Sequence, residues 1–332
     1  MRILYFSFFV MMSLMACRSE SGQSTDSDIS PTTLERKPLS IPAFNVDSAF
    51  SYVEDQVGFG PRVPNTDAHR NTKDYIQRQL EKYSDKVIVQ AFNARRFDGV
   101  NLEGYNIIGS FNPEASKRIL LLAHWDSRYI ADHAAEPDRR NHPVLGADDG
   151  GSGVGVLLEI ARQLSIQPVE AGVDILFTDL EDQGKSNDPD GTTWALGAQY
   201  WSKKPHVSNY QAKYGILLDM VGASGAQFLK EAISKNYAPQ FLDYVWNLAN
   251  GMGYGHLFIN KNLSGGVVDD HLFINQNMGI PTIDIINKPN DNSFGPHWHT
   301  GNDNLDIIDK NVLRSVGQVV TAVVYRFDAN YL

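Results

Sequence analysis

The sequence predicts an α/β fold: a mostly parallel, twisted central β-sheet flanked by helices on both faces. Two observations predict it. Five short, continuous apolar runs, "YNIIGSF" (105–111), "RILLLAH" (118–124), "VDILFTD" (173–179), "YGILLDM" (214–220) and "IPTIDII" (280–286), read as strands buried on both faces, and stretches of helical spacing alternate with them. Polar residues also follow directly on these runs, and a parallel sheet gathers its ligand-binding loops at the carboxyl edge of the strands.

In chain order, residues 1–17 come first. Arg2 gives a positive end to "ILYFSFFVMMSLMA", an apolar stretch too short for a comfortable membrane span, and the segment reads as an export signal. It ends at Cys17, the only cysteine of the 332 residues. No disulfide and no thiolate metal site can therefore form in the mature domain, and any metal must sit on oxygen and nitrogen. Residues 18–40, rich in Ser, Thr, Asp and Pro, are too polar to build a core and read as a tether.

Residues 41–332 contain no internal repeat, low-complexity run or second linker, so they are read as one domain. "VDSAFSYVEDQV" (46–57) and "TDAHRNTKDYIQRQLEKY" (66–83) open it as helices around the turn "GFGPRVP". The second has an Asx or Thr cap and sets Tyr75, Ile76 and Leu80 on one side. Further helices are expected at "GVGVLLEIARQL" (153–164), around "ALGAQYWS" (195–202), at "PQFLDYVWNLAN" (239–250) and at the closing "NVLRSVGQVVTAVVYRF" (311–327). The balance of 29 basic against 39 acidic residues, a formal charge of -10, argues against a nucleic-acid partner and suits cationic amino termini.

Four polar stretches need a common explanation: "AHWDSRY" (123–129), "GADDGGSGVGVLLE" (146–159), "DLED" (179–182) and "PHWHTGNDN" (296–304). Carboxylates at the end of a buried strand must be paired, hydrated or bound to metal. Asp148 or Asp149 can equally cap the helix that follows. A catalytic zinc needs three protein ligands of histidine and carboxylate type plus an open position, and Asp149, an acid of "LED" and His299 would make such a set.

In this order and spacing the stretches resemble the zinc aminopeptidase clan and, within it, the glutaminyl cyclases, from about residue 56 to 308. "GPRVP" (60–64), "VDDHLFI" (268–274) and "WHTGNDNLDII" (298–308) carry the cyclase likeness. The resemblance implies one zinc held by Asp149, Asp182 and His299, with aspartate at 182 where the family has glutamate. It implies Glu181 as general base, Asp219 and Asp270 as the acids beside it, and Trp298 as a wall of the glutamine pocket. Asp269 rivals Asp270 by a one-residue slip, and Asp270 is preferred because it directly precedes His271. Asp179 is expected to be structural, and His297 is passed over in favour of His299.

The implied reaction converts the N-terminal glutamine of peptides and proteins to pyroglutamate with release of ammonia. A zinc aminopeptidase of the same fold is the nearest rival, with a second metal on His124, Asp149 and Asp219. A non-catalytic peptide-binding lipoprotein is a more distant one. Arg128 is expected to neutralise acids where that second metal would sit, and the loop "ADHAAEPDRRNHPV" (131–144) to be solvated surface. "LMAC" resembles the bacterial lipobox, which implies lipidation of Cys17 and a membrane anchor, on the periplasmic side, for a protein otherwise expected to be a monomer. The other reading of the leader is an ordinary cleaved signal peptide.

Overall fold

Side chains alternate between the two faces of an extended strand, so a strand apolar at every position has to be covered on both sides. In the computed structural model, which describes residues 36–188 and 190–332, strand β3 (Arg118–His124) and strand β4 (Gly172–Thr178) are buried along their whole length. They lie centrally in a six-stranded sheet of order β1-β2-β4-β3-β5-β8, with β1 Lys86–Arg95, β2 Asn101–Phe111, β5 Tyr214–Asp219 and β8 Thr282–Ile286. Strands β4, β3, β5 and β8 run parallel, while β1 and β2 add an antiparallel edge. A parallel pair, β6 (Phe228–Lys230) and β7 (Phe258–Asn262), stands apart.

The periodicity of β3 divides the core. Ile119, Leu121 and Ala123 join the larger cluster with residues of helices α1 (Val46–Gly58), α2 (Asp67–Tyr83), α3 (Gly151–Ile166), α6 (Pro239–Gly251) and α8 (Lys310–Asp328). Leu120 and Leu122 face the smaller cluster with Trp201 of α4 (Leu196–Lys203) and Ile274 of α7 (Asp270–Met278). Helix α5 (Ala232–Tyr237) leads into α6. Among the described residues no helix is long and apolar enough to cross a membrane.

Two local features bear on the site. Helix α3 lies so close to the sheet that a β-carbon at Gly153 would meet Leu218 O at 2.4 Å and Ala123 Cβ at 2.9 Å. The "GSG" run is what lets it do so. The expected cap of α2 is Thr66, whose hydroxyl accepts from His69 N at 3.2 Å.

Strand β1 escapes the sequence reading because only Phe92 is buried in it, and a half-exposed edge strand lacks the continuous apolar run of its neighbours. Residues 36–332 form one compact unit. Residues 36–40, assigned by composition to the tether, lie against it: Lys37 N donates to Ala329 O at 3.1 Å and Leu39 packs on the core. The signal segment, Cys17 and residues 18–35 lie outside the described residues.

Candidate active site and metal centre

Because β3, β4, β5 and β8 are parallel, the segments after His124, Thr178, Asp219 and Ile286 meet at one edge of the sheet. The "DLED" segment splits there. Asp179 is fully buried, accepts from Tyr105 N at 2.7 Å and Leu180 N at 2.8 Å, and lies 2.9 Å from His69 Nε2, which makes it a structural carboxylate. Leu180 then adopts φ +58°, a left-handed conformation that is costly for leucine and turns the next two acids the other way. Asp126 of "HWDS" fixes that turn by accepting from Glu181 N at 3.0 Å and Asp182 N at 3.2 Å.

Asp149 is held just as closely. Arg62 of "GPRVP" is fully buried and donates to Trp125 O at 2.8 Å, Leu145 O at 2.5 Å and Gly146 O at 2.6 Å, clamping the loop before α3. Asp303 accepts from Asp148 N at 2.8 Å and Asp149 N at 3.1 Å. Burial and the neighbouring Asp148 and Asp149 push its carboxyl up to about 7. Asp148 accepts from Gly222 N at 2.7 Å and lies 2.9 Å from His297 Nε2, so His297 is a loop tie and not a ligand rival. Asp303→Ala would leave two buried amides without acceptors, at about 1–3 kcal/mol each. A loss of about 2–6 kcal/mol is expected in urea unfolding, and a midpoint within error of the parent would refute it.

Among the described residues, three groups bring metal-ligating atoms within 4.8 Å of one another; two share Asp149, and the third is Asp269, His271 and Asp284. The first is the expected set Asp149, Asp182 and His299. His299 Nε2 stands 3.0 Å from Asp182 Oδ1 and 3.8 Å from Asp149 Oδ2. Asp182 is 1% exposed; its Oδ1 lies 3.0 Å from His299 Nε2 and 3.8 Å from Arg128, and among the described residues neither of its oxygens has a well-aligned hydrogen-bond donor, which suits a cation at this position. An all-N/O set of one histidine and two carboxylates fits a catalytic zinc. The shorter aspartate at 182 still brings its carboxylate into the group.

Asp132 Oδ1 lies 3.2 Å from His299 Nδ1, the carboxylate that commonly orients a ligating imidazole. Burial acts to lower the pKa of His299, but Asp182 and Asp132 prevail and raise it to about 9. Asp132 belongs to the loop expected to be solvated surface; residues 135–143 are exposed as expected, whereas Asp132 is half-buried against the ligand group. His133 of the same loop donates from its backbone to His299 O at 3.2 Å and packs on Trp298 with ring centroids 4.3 Å apart.

The second group is His124, Asp149 and Asp219, the set the rival reading requires. His124 Nε2 lies 3.1 Å from Asp149 Oδ1 and 3.3 Å from Asp219 Oδ1. Arg128 is not there. Its guanidinium donates to Asp182 O at 2.9 Å and Gly184 O at 2.8 Å, pairs with Asp132 at 2.8 Å and lies over the ring of Trp194 at 4.7 Å. It braces the first group and does not neutralise the second.

Glu181, Asp219 and Asp269 line one cavity of about 270 Å³ with Asp149, Asp182 and His299. Burial first, and the charge of Asp269 second, raise the Glu181 carboxyl well above the ordinary range. Burial likewise raises Asp219, followed by Asp269 and Asp149 against the opposing hydrogen bond from His124. The preference for Asp270 is reversed by the start of α7. Asp269 is the helix cap, accepting from Asp270 N, and it lines the cavity, whereas Asp270 turns inward to the Thr178 hydroxyl. His271, cited in favour of Asp270, is also interior, 3.2 Å from Glu231 Oε1.

Trp298 stacks on His299 at 3.8 Å and lines the cavity; it is not a core aromatic. Trp194, Phe294 and Val267 also line the cavity, with the Phe294 ring centroid 4.5 Å from that of Trp298. Trp194 and Lys288 were missed by the sequence reading. The signal for Trp194 was a tryptophan set in the polar run "SNDPDGTTW", where no core position is expected.

The profile of peptidase family M28 matches residues 106–324. The crystal structure of Bacteroides thetaiotaomicron glutaminyl cyclase bound to N-acetylhistamine is 48% identical with a TM-score of 0.83, covering 86% of this chain and 99% of that one. A Zn-dependent exopeptidase from Parabacteroides distasonis gives the same four values. The glutaminyl-peptide cyclotransferase of Gloydius blomhoffii is 24% identical over 254 residues, which make up 67% of this chain. The matches to the curated relatives span between 39% and 66% of those proteins' own length.

Proposed function

This chain belongs to peptidase family M28, and from that premise we propose that it is a zinc-dependent glutaminyl-peptide cyclotransferase acting on peptides and proteins with N-terminal glutamine. The observation that carries the reading is the single cavity of about 270 Å³ in which a carboxylate cluster, a metal-ligating triad and the wall Trp194, Phe294 and Trp298 meet. It has room for one residue folded back on its own amine, with the rest of the peptide leaving through the cavity mouth.

In the reaction the α-nitrogen bonds to the side-chain carbonyl carbon, the bond from that carbon to the amide nitrogen breaks, and ammonia leaves. Nucleophile and electrophile share one residue, so holding it bent supplies a large part of the rate. Glu181 takes the proton from the attacking amine and returns it to the departing nitrogen. Its raised carboxyl pKa suits both halves of that transfer. Asp219 and Asp269 line the cavity beside the base, where a carboxyl oxygen can accept from the neutral attacking amine and orient it. Zinc on Asp149, Asp182 and His299 supplies Lewis acidity at the amide oxygen when bound.

An aminopeptidase is favoured by the His124, Asp149 and Asp219 group, which offers a second metal a place, and by the likeness to the Zn-dependent exopeptidase. Two measurements separate the readings: zinc per chain, and the products from Gln-, Leu- and Ala-initiated peptides. We expect one zinc, ammonia and a cyclised product from the Gln peptide, and no shortening of the others. Two zincs with stepwise loss of amino-terminal residues would overturn the proposal.

A further inference from the structure

Lys288 follows β8 and lines the cavity beside Ile286 and Phe294. The residue is only 6% exposed, and its ammonium sits over the Phe294 ring at 4.1 Å from the centroid. Among the described residues that ammonium has no hydrogen-bond acceptor and no ion-pair partner; Asp291, the nearest acid to influence it, is instead engaged by Ser264 N and Gly265 N at 2.7 and 3.1 Å. A lysine that is mostly buried yet has no protein acceptor for its three donors is open to a ligand, and this one lines the cavity.

The cavity's other groups are already matched to the first substrate residue: the acids to its amine, the metal-ligating triad to its amide oxygen. Lys288 stands on the side where the chain must leave. A groove of about 660 Å³ continues from there, lined by His133, Pro289, Pro296 and Thr300 and sharing Phe294 and Trp298 with the cavity. A peptide running from the cavity into the groove carries its second side chain past the ammonium.

We infer that Lys288 is a specificity-determining residue that receives an acidic side chain, Asp or Glu, at the second position of the substrate peptide. The inference rests on the cyclase reading. A carboxylate there makes a charge-assisted bond in a nearly dry site, and a lysine side chain there meets like charge.

The test compares kcat/KM for matched peptides beginning Gln-Glu, Gln-Ala and Gln-Lys, on the zinc-loaded full chain and on Lys288→Met, Lys288→Arg and Lys288→Glu. The parent is expected to prefer Gln-Glu over Gln-Lys by about tenfold at low salt, less at high salt. Methionine brings that ratio near one, arginine retains it and glutamate inverts it. A parent ratio near one, or a ratio that survives Lys288→Met, overturns the assignment. So does an equal fall for all three peptides, which would mean a main-chain carbonyl contact. Gln-Ala turnover by the parent reports on the reaction itself: without ammonia from it the cyclase reading fails, and with it only the Lys288 assignment is at stake.

Discussion

Glu181→Gln is expected to lower kcat for a Gln-initiated peptide by about 10²–10⁴-fold, the contribution typical of a positioned general base. Glutamine keeps the size of the side chain and cannot take a proton. The backbone ties from Glu181 N and Asp182 N to Asp126 do not involve the side chain, so the turn and the metal-ligating triad should be retained. Zinc content equal to the parent, together with the loss of rate, is the expected signature. A variant that loses zinc as well would place Glu181 in the metal set, and one that keeps full activity would remove it from the reaction.

The pH profile gives the same assignment a sign. The base acts deprotonated, and its carboxyl is raised by burial and then by Asp269, so the acidic limb of kcat/KM should lie above the ordinary glutamate range. Asp269→Asn removes the anion that makes ionising Glu181 harder, and the limb should move to lower pH. A limb that stays put in Asp269→Asn while moving in Asp270→Asn would restore the rejected choice.

Removal of the metal should have the second large effect. Asp149 belongs to both ligand groups, and its loop is fixed by Arg62 and Asp303 whether or not metal is bound. A chelator should therefore abolish ammonia release without unfolding the chain, and zinc should restore it. His299→Ala should reproduce the loss at any zinc concentration that sustains the parent. Stoichiometry of restoration is informative: full activity at one equivalent fits the Asp149, Asp182 and His299 group alone, whereas a requirement for two would bring in His124 and Asp219. Activity that survives exhaustive chelation would contradict the zinc-dependent reading outright.

Residue order carried a good deal of this. The apolar runs of β3, β4, β5 and β8 mark themselves because a strand buried on both faces cannot hide its composition, and parallel strands then force their following loops to one edge. Those edge loops, together with the family likeness of "GADD", "LED" and "WHT", point to Asp149, Glu181, Asp182, Asp219 and His299 from the sequence. What the order could not carry was direction. Asp269 and Asp270 are chemically identical neighbours, and only the start of α7 decides that one caps the helix at the cavity while the other turns to Thr178. Arg128 lies next to the "HWD" residues in sequence but braces the opposite ligand group.

By itself, then, the sequence determined the α/β architecture, the family likeness and a roster of acids and histidines, because burial and spacing leave their imprint on residue type. The tertiary structure alone decided which members of that roster face one another. It brought Asp132 and His133 from a loop of surface-like composition onto His299, and it set the Lys288 ammonium over the Phe294 ring at the cavity. The physical reason is that a side chain's role depends on the distance and angle to atoms far along the chain. Those are fixed by cumulative packing, and neither a residue nor its neighbours in sequence records them.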